Sequence, residues 1–460
     1  MADQNKEDTP ENFKPQKPQE RIYPLERIIR PVEEILRNRP ISGILLFLSV
    51  ITALIWVNFG GADSYHHLWE KRFTINFGDY TIDRNLHHWI NEGLMAIFFF
   101  VVGLEIKREI ILGELSSWKK ASLPVAAAIG GMLMPALIYT FFNLGDYGQS
   151  GWGVPMATDI AFCLGILSLL GNKVPVSLKI FLTALAIVDD LGAVLVIAFF
   201  YTQDLFIYYL EFALLFFGLL LAGNLLGIRN TLFYGILGIL GVWISFLNSG
   251  VHATLAGVIV AMTIPVKAKI NEQKLISQFA KLLDRFKKTK KVRGFYVSEQ
   301  QGEIIEEIKQ TRKKAESPLQ KLENSLNPFV SFIVLPLFAL ANSGVVFGED
   351  LWASLGSNVS LGIILGLILG KASGIAGFSY LFVKLGISAL PKQTNWGVMI
   401  GAGIMGGIGF TMSIFISELA FPSEEVRTHA KMAILIASGL AALLGMLVIT
   451  LFSKRNKDHS

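Results

Sequence analysis

Long apolar runs separated by short polar clusters dominate the chain from residue 41 onward. Windows of about 19 residues pick out twelve stretches near the roughly 17–25 residues that a helix needs to cross a bilayer. They are Ile41 to Phe59, Leu86 to Leu104, Ala121 to Phe142, Val154 to Leu170, Val174 to Tyr201, Leu205 to Leu226, Thr231 to Leu247, Val251 to Val266, Pro328 to Val346, Leu361 to Val383, Trp396 to Ser417 and Ala430 to Phe452. The stretches at Val154 and Val251 are the short ones. One segment has a period of two instead: Phe73, Ile75 and Phe77, then Tyr80 and Ile82, alternate about Gly78-Asp79, the signature of a two-residue hairpin. The pattern predicts an all-α polytopic membrane protein of about twelve transmembrane helices, with a small β-hairpin in its first periplasmic loop.

Composition agrees, since 52% of the 460 residues are hydrophobic and only 17% charged, which excludes an ordinary soluble enzyme. Charge then gives orientation. Of the 41 Lys and Arg residues, 34 fall in the N-terminus, every second loop and the C-terminus, 4 in the intervening loops and 3 inside helices. Basic residues stay on the cytoplasmic side of short loops, so both termini are expected there, in the inner membrane of a bacterial cell. The same bias explains a pI near 9.0 without nucleic acid, for which no module interrupts the apolar pattern. The resulting organisation is a cytoplasmic tail (1–40), eight spans (41–266), a charged cytoplasmic loop (267–327), four spans (328–452) and a second tail (453–460). The first tail is too polar for a signal peptide and reads as disordered. The loop carries 15 basic and 8 acidic residues, with a charged amphipathic helix expected around Glu303 to Lys314; it reads as a solvated linker, with regulation or contact with anionic lipid as the alternative. Cys163, the only cysteine, rules out an intrachain disulfide and suits a packed small residue.

The informative residues are ionisable ones placed where lipid forbids them. Asp189 and Asp190 lie mid-way along LTALAIVDDLGAVLVIAFF, and Asp159 lies in PMATDIAF beside Pro155 and Thr158. Lys371 lies in LGLILGKASGIAG, similarly deep. Adjacent helical residues point about 100° apart, so Asp189 and Asp190 cannot line one face. Pairing with Lys371 neutralises only one of the three acids, and the surplus needs another cation. Protons can supply it. A small hard cation such as Na+ or Li+ can supply it too, through oxygen ligands. A site that holds one or the other makes an exchanger, provided that its empty, charged form cannot reorient.

The run GAGIMGGIGFTM is too glycine-dense for a plain span, where small-xxx-small spacing suffices for packing. With the weak helix at Thr158-Asp159 it predicts two interrupted helices, the fourth and the eleventh, of the kind that mark ion sites near the midplane. Their dipole ends need compensation, by Asp159 at N-termini and by Lys371 at C-termini.

The strings ATDIAF (157–162), ALAIVDDLGA (184–193), SGVHATLAGVIV (249–260), VGLEIKRE (102–109) and GIGFTMSIFIS (407–417) resemble those of NhaA-type Na+/H+ antiporters, over about Ile41 to Phe452 apart from the charged loop. That family is itself a standing example of inverted-topology repeats with broken helices, and the resemblance implies that architecture here. It further implies that Asp190 is the principal cation and proton carrier, with Asp189 its partner and a ligand of the transported Na+, gated through Lys371. Thr158 and Asp159 sit at the crossing of the broken helices. Glu105, Lys107 and Arg108 match a cytoplasmic pH-sensing cluster, with Glu323 in KLENSLNP. His252 matches a family histidine, with a hydrogen-bonded packing role as the plain alternative, and Glu92 stands where the family carries an acid. The sequence departs from the family at Asn324 and Asn327, where studied members have histidines, and in the material at 271–318 and the N-terminal tail.

The reading is therefore a secondary transporter exchanging cytoplasmic Na+ or Li+ for external protons, with two protons per cation, no cofactor, a homodimeric state and a lipid environment. The alternative is a proton- or sodium-coupled solute symporter, which needs a larger cavity with aromatic and amide groups beside the acids. An intramembrane aspartyl protease needs a G-x-G-D motif, which NLGD at 143–146 lacks, and no other catalytic constellation is present.

Overall fold

The computed structural model describes residues 39–78, 80–202, 205–289, 297–348 and 354–454. The expected disordered tail and most of the C-terminal tail lie outside them, as does Asp79 of the hairpin turn. Residues from Arg39 onward form one unit. Among the described residues nine helices are long and apolar enough to cross a bilayer, and the bent pair Trp396–Gly406 and Phe410–Ala420 makes a tenth. The remaining two expected spans are helical but atypical. Leu86–His88, Trp89–Leu94 and Met95–Leu112 follow one another through a single wide turn, and the C-terminal end carries Glu105, Lys107, Arg108 and Glu109. The segment at Val251 yields only the ten-residue helix Thr254–Thr263, about 15 Å long and thus half a bilayer. Gly250, at φ +83, ends the helix before it, a conformation that needs glycine.

The surface is apolar as well as the core, and a few charges are buried. Phe141, Leu214 and Leu225 are largely exposed, whereas Asp159, Asp189, Asp190 and Lys371 are buried. Apolar side chains on the outside and ionisable ones only in the interior are the arrangement that hydrocarbon demands.

Strand β1 (Arg72–Phe77) pairs antiparallel with β2 (Tyr80–Asn85), with Phe77 opposite Tyr80 across a two-residue turn. Gly78 has φ +61 there, as such turns require. The charged loop is more structured than a solvated linker. It contains the helices Glu272–Lys288 and Glu299–Ala315, the second covering the expected Glu303 to Lys314. Each starts on a side-chain cap, Asn271 and Ser298 respectively, and Lys269 N–H bonds the Lys314 carbonyl to close the excursion.

Candidate functional site

Two breaks build the site. In the first broken span a tight helix, Gln149–Met156, gives way at Ala157 to three extended residues before Ile160–Leu169. Pro155 removes a donor from the end of the first piece. The second breaks between Gly406 and Phe410 with a 45° bend. Here the glycines are required by contact. A Cβ on Gly407 would lie 2.1 Å from the Leu367 carbonyl oxygen, and one on Gly409 would meet the Ala157 oxygen at 3.1 Å.

The two breaks cross and bond to each other. Asp159 N–H donates to the Ile408 carbonyl at 2.7 Å, and Thr158 Oγ1 donates to the Gly406 carbonyl at 2.8 Å. Asp159 Oδ1 accepts from Phe162 N–H at 2.9 Å, at the N-terminus of its own half-helix. Its Oδ2 accepts from Thr411 N–H at 3.2 Å and from Thr411 Oγ1 at 2.5 Å, at the N-terminus of the other. One carboxylate therefore faces two positive helix ends. On the opposite side Lys371 Nζ donates to Thr158 Oγ1 at 2.9 Å and to Asp189 Oδ2 at 2.7 Å. Its charge reaches the Gly406 helix end through the Thr158 hydroxyl.

The aspartate helix, Val176–Phe200, sends its two acids to different neighbours. Asp189 is bound by Lys371, whereas Asp190 lines a cavity of about 120 Å³ together with Thr158, Asp159, Thr411, Glu105 and Asn327. Asp190 Oδ1 is buried and has no hydrogen-bond partner among protein groups. The charge balance follows residue by residue. Asp159 is met by helix ends and Asp189 by an ammonium, and Asp190 is left as the acid without a matching charge.

Glu105 and Asn327 also line this cavity, 3.3 Å apart. Around them Arg108 binds Glu323 and, at 3.1 Å, Glu109. Lys107 turns elsewhere, donating to the Met262 and Ile264 carbonyls at 2.6 and 2.5 Å, and so caps the C-terminus of the short helix Thr254–Thr263. Glu92 holds that helix's other end, its Oε2 accepting from Ala253 N–H at 3.0 Å. His252 bridges Glu92, at 3.7 Å, and the Tyr201 carbonyl, at 2.8 Å.

Thr411 is the site residue that sequence reasoning missed. It stands two positions past the predicted glycine run, in GIGFTM, and its hydroxyl and N–H both donate to Asp159. Asn327, a departure from the family histidine, lines the cavity as an amide bonded to Glu105.

Crossed, broken spans with buried carboxylates at their centre define a multi-pass membrane transporter of the secondary type. The chain belongs to the family described as Na+/H+ antiporter 1, whose sequence profile matches residues 33–449. It is 47% identical to the Na(+)/H(+) antiporter NhaA of Oleidesulfovibrio alaskensis over 429 residues, 93% of this chain and 95% of that protein. It is 46% identical to Na(+)/H(+) antiporter NhaA 2 of Syntrophotalea carbinolica over 94% of this chain and 98% of the relative. With the Na(+)/H(+) antiporter NhaA of Wolinella succinogenes the identity is 45% over 90% and 92%.

Proposed function

We propose that this chain is a secondary antiporter that expels Na+ or Li+ across a bacterial inner membrane in exchange for protons, with both termini cytoplasmic. Exchange of Na+ for protons is the activity of the family to which it belongs. The observation that carries the site assignment is the uncompensated Asp190 beside the compensated Asp189 and Asp159. Asp190 binds either a proton or the cation, which it can share with Thr158 and Asp159 in the same cavity. Access is from the Glu105 side, and Glu105, Arg108 and Glu323 gate it in response to pH, whereas Lys107, expected in the same cluster, is held on the Met262 and Ile264 carbonyls.

The exchange is electrogenic, with two protons per Na+. Asp190 releases one. The second comes from a neighbouring carboxylate near the ion, Asp189 or Asp159, as Na+ enters. One positive charge then moves inward per cycle, worth roughly 2.3 kcal/mol per 100 mV. The functional unit is a homodimer assisted by the hairpin, whose free edges gain by pairing. Proteoliposomes test the stoichiometry: at fixed pH gradient, clamping the voltage with potassium and valinomycin should change Na+ flux. An unchanged flux means one-for-one exchange.

A further inference from the structure

The cavity ends against a wall whose far side carries a second set of buried charges. Three helices build the wall, and each contributes one phenylalanine. Phe415 lies 5.4 Å from Phe99 and 6.2 Å from Phe338, ring centre to ring centre, and none of the three exceeds 1% exposure. On the same helices Thr411, Val102 and Leu335 line the cavity, each three or four residues away. Beyond the rings the side chains turn polar again. Asn342 and Asn91 exchange amide hydrogen bonds of 2.9 and 3.3 Å, and His87 Nε2 bonds Asn342 Oδ1 at 3.0 Å. Glu418, three residues past Phe415, forms an ion pair of 2.5 Å with Lys431. Both are largely buried, with side chains 10% and 15% exposed, and His87 and Arg427 are within electrostatic reach of Glu418.

Two features set this pair apart from a plain structural bridge. A buried ion pair adds little net stability over apolar packing, so packing alone does not account for its presence. Glu418 also follows Thr411 by seven residues, two helical turns, so that both lie on one face about 10 Å apart. The helix that holds Thr411 on the inner carboxylate thus carries a second carboxylate directly outward, with the Phe415 ring between them.

We propose that Glu418 is an outer cation-binding residue, the carboxylate onto which Na+ passes when the Phe99–Phe338–Phe415 layer opens and from which it leaves the protein. Lys431 occupies Glu418 while the cavity is open at Glu105, as Lys371 occupies Asp189. The proposal rests on the Na+/H+ exchange reading, and the test separates the two. Reconstituted vesicles sorted by protein orientation give the half-saturating Na+ concentration from each face. If wild-type protein moves no protons in response to Na+, the exchange reading fails and the outer site is moot.

In wild-type-competent vesicles, Glu418→Gln should raise half-saturation at the face opposite Glu105 by about tenfold or more, the loss expected for one charged ligand. The value at the Glu105 face should not move. Glu418→Asp should recover part of the loss. Because the glutamine variant strands Lys431, the double variant Glu418→Gln/Lys431→Met is measured as well. An outer site keeps the elevated half-saturation in the double variant. Its return to the wild-type value, or an unchanged value in either variant, overturns the proposal.

Discussion

Asp159 and Asp190 lie in one cavity, yet removing their charges should shift stability in opposite directions. Asp159→Asn replaces an acceptor oxygen by an amide NH2 that must face either Phe162 N–H or the two Thr411 donors. One buried donor loses its partner, at about 1–3 kcal/mol, and two helix N-termini lose their counter-charge, at roughly 0.3–1 kcal/mol each. The loss sums to about 2–5 kcal/mol. Asp190→Asn does the reverse. Asp190 Oδ1 has no protein partner, so at alkaline pH without Na+ the substitution removes an uncompensated buried charge and should stabilise by about 1–3 kcal/mol. Exchange should be abolished in Asp190→Asn and impaired in Asp159→Asn. Thermal denaturation of both variants in one detergent, alkaline and free of Na+ and Li+, reads the signs, a kilocalorie being worth about 2 °C or less in a chain of this size. If both variants move the midpoint the same way, the charge balance drawn for the site is wrong.

Lys371→Met should destabilise by about 3–5 kcal/mol through the stranded Asp189, and adding Asp189→Asn should recover most of it in the same denaturation assay. A double variant as unstable as the single one would show that Lys371 acts chiefly through Thr158. Deleting residues 73–82 should weaken the dimer on size-exclusion chromatography in mild detergent while leaving Na+-driven proton movement measurable; an unaltered elution volume would assign dimer contacts to the helices. Acid should loosen the hairpin too. The Thr74 hydroxyl and then Arg72 hold the Asp83 carboxyl below its ordinary range, so this support is complete above the usual carboxylate pKa. It is lost only as pH falls through the depressed value, and Asp83→Asn should erase that acid dependence of the hairpin's amide exchange.

The parts legible in the sequence were those in which one residue type contradicts its surroundings. Asp189, Asp190 and Lys371 stand out because lipid excludes them, the 401–409 run because glycine is too dense there, and the hairpin because its period is two. What stayed illegible was pairing at a distance. Thr411 meets Asp159 across 252 residues, and no local pattern announces which hydroxyl a buried carboxylate will find. The helices Glu272–Lys288 and Glu299–Ala315 were partly hidden for another reason. Their many charges look like solvation, and only the caps Asn271 and Ser298 mark where order begins. The short helix at Thr254 read as a full span because hydropathy measures how apolar a segment is and not where the helix within it starts.

That short helix is held by a single neighbour at both ends. Glu92 accepts from the N–H of Ala253 at its start and Lys107 donates to the Met262 and Ile264 carbonyls at its end, and both stand on the continuous helical stretch from Leu86 to Leu112. A piece clamped top and bottom to the same rod can neither slide along it nor rotate against it without breaking charged hydrogen bonds. The pair is therefore expected to move as one body. Displacement during the cycle falls to the crossed spans, and spin labels on the two clamped elements should keep one fixed separation while labels across the cavity do not.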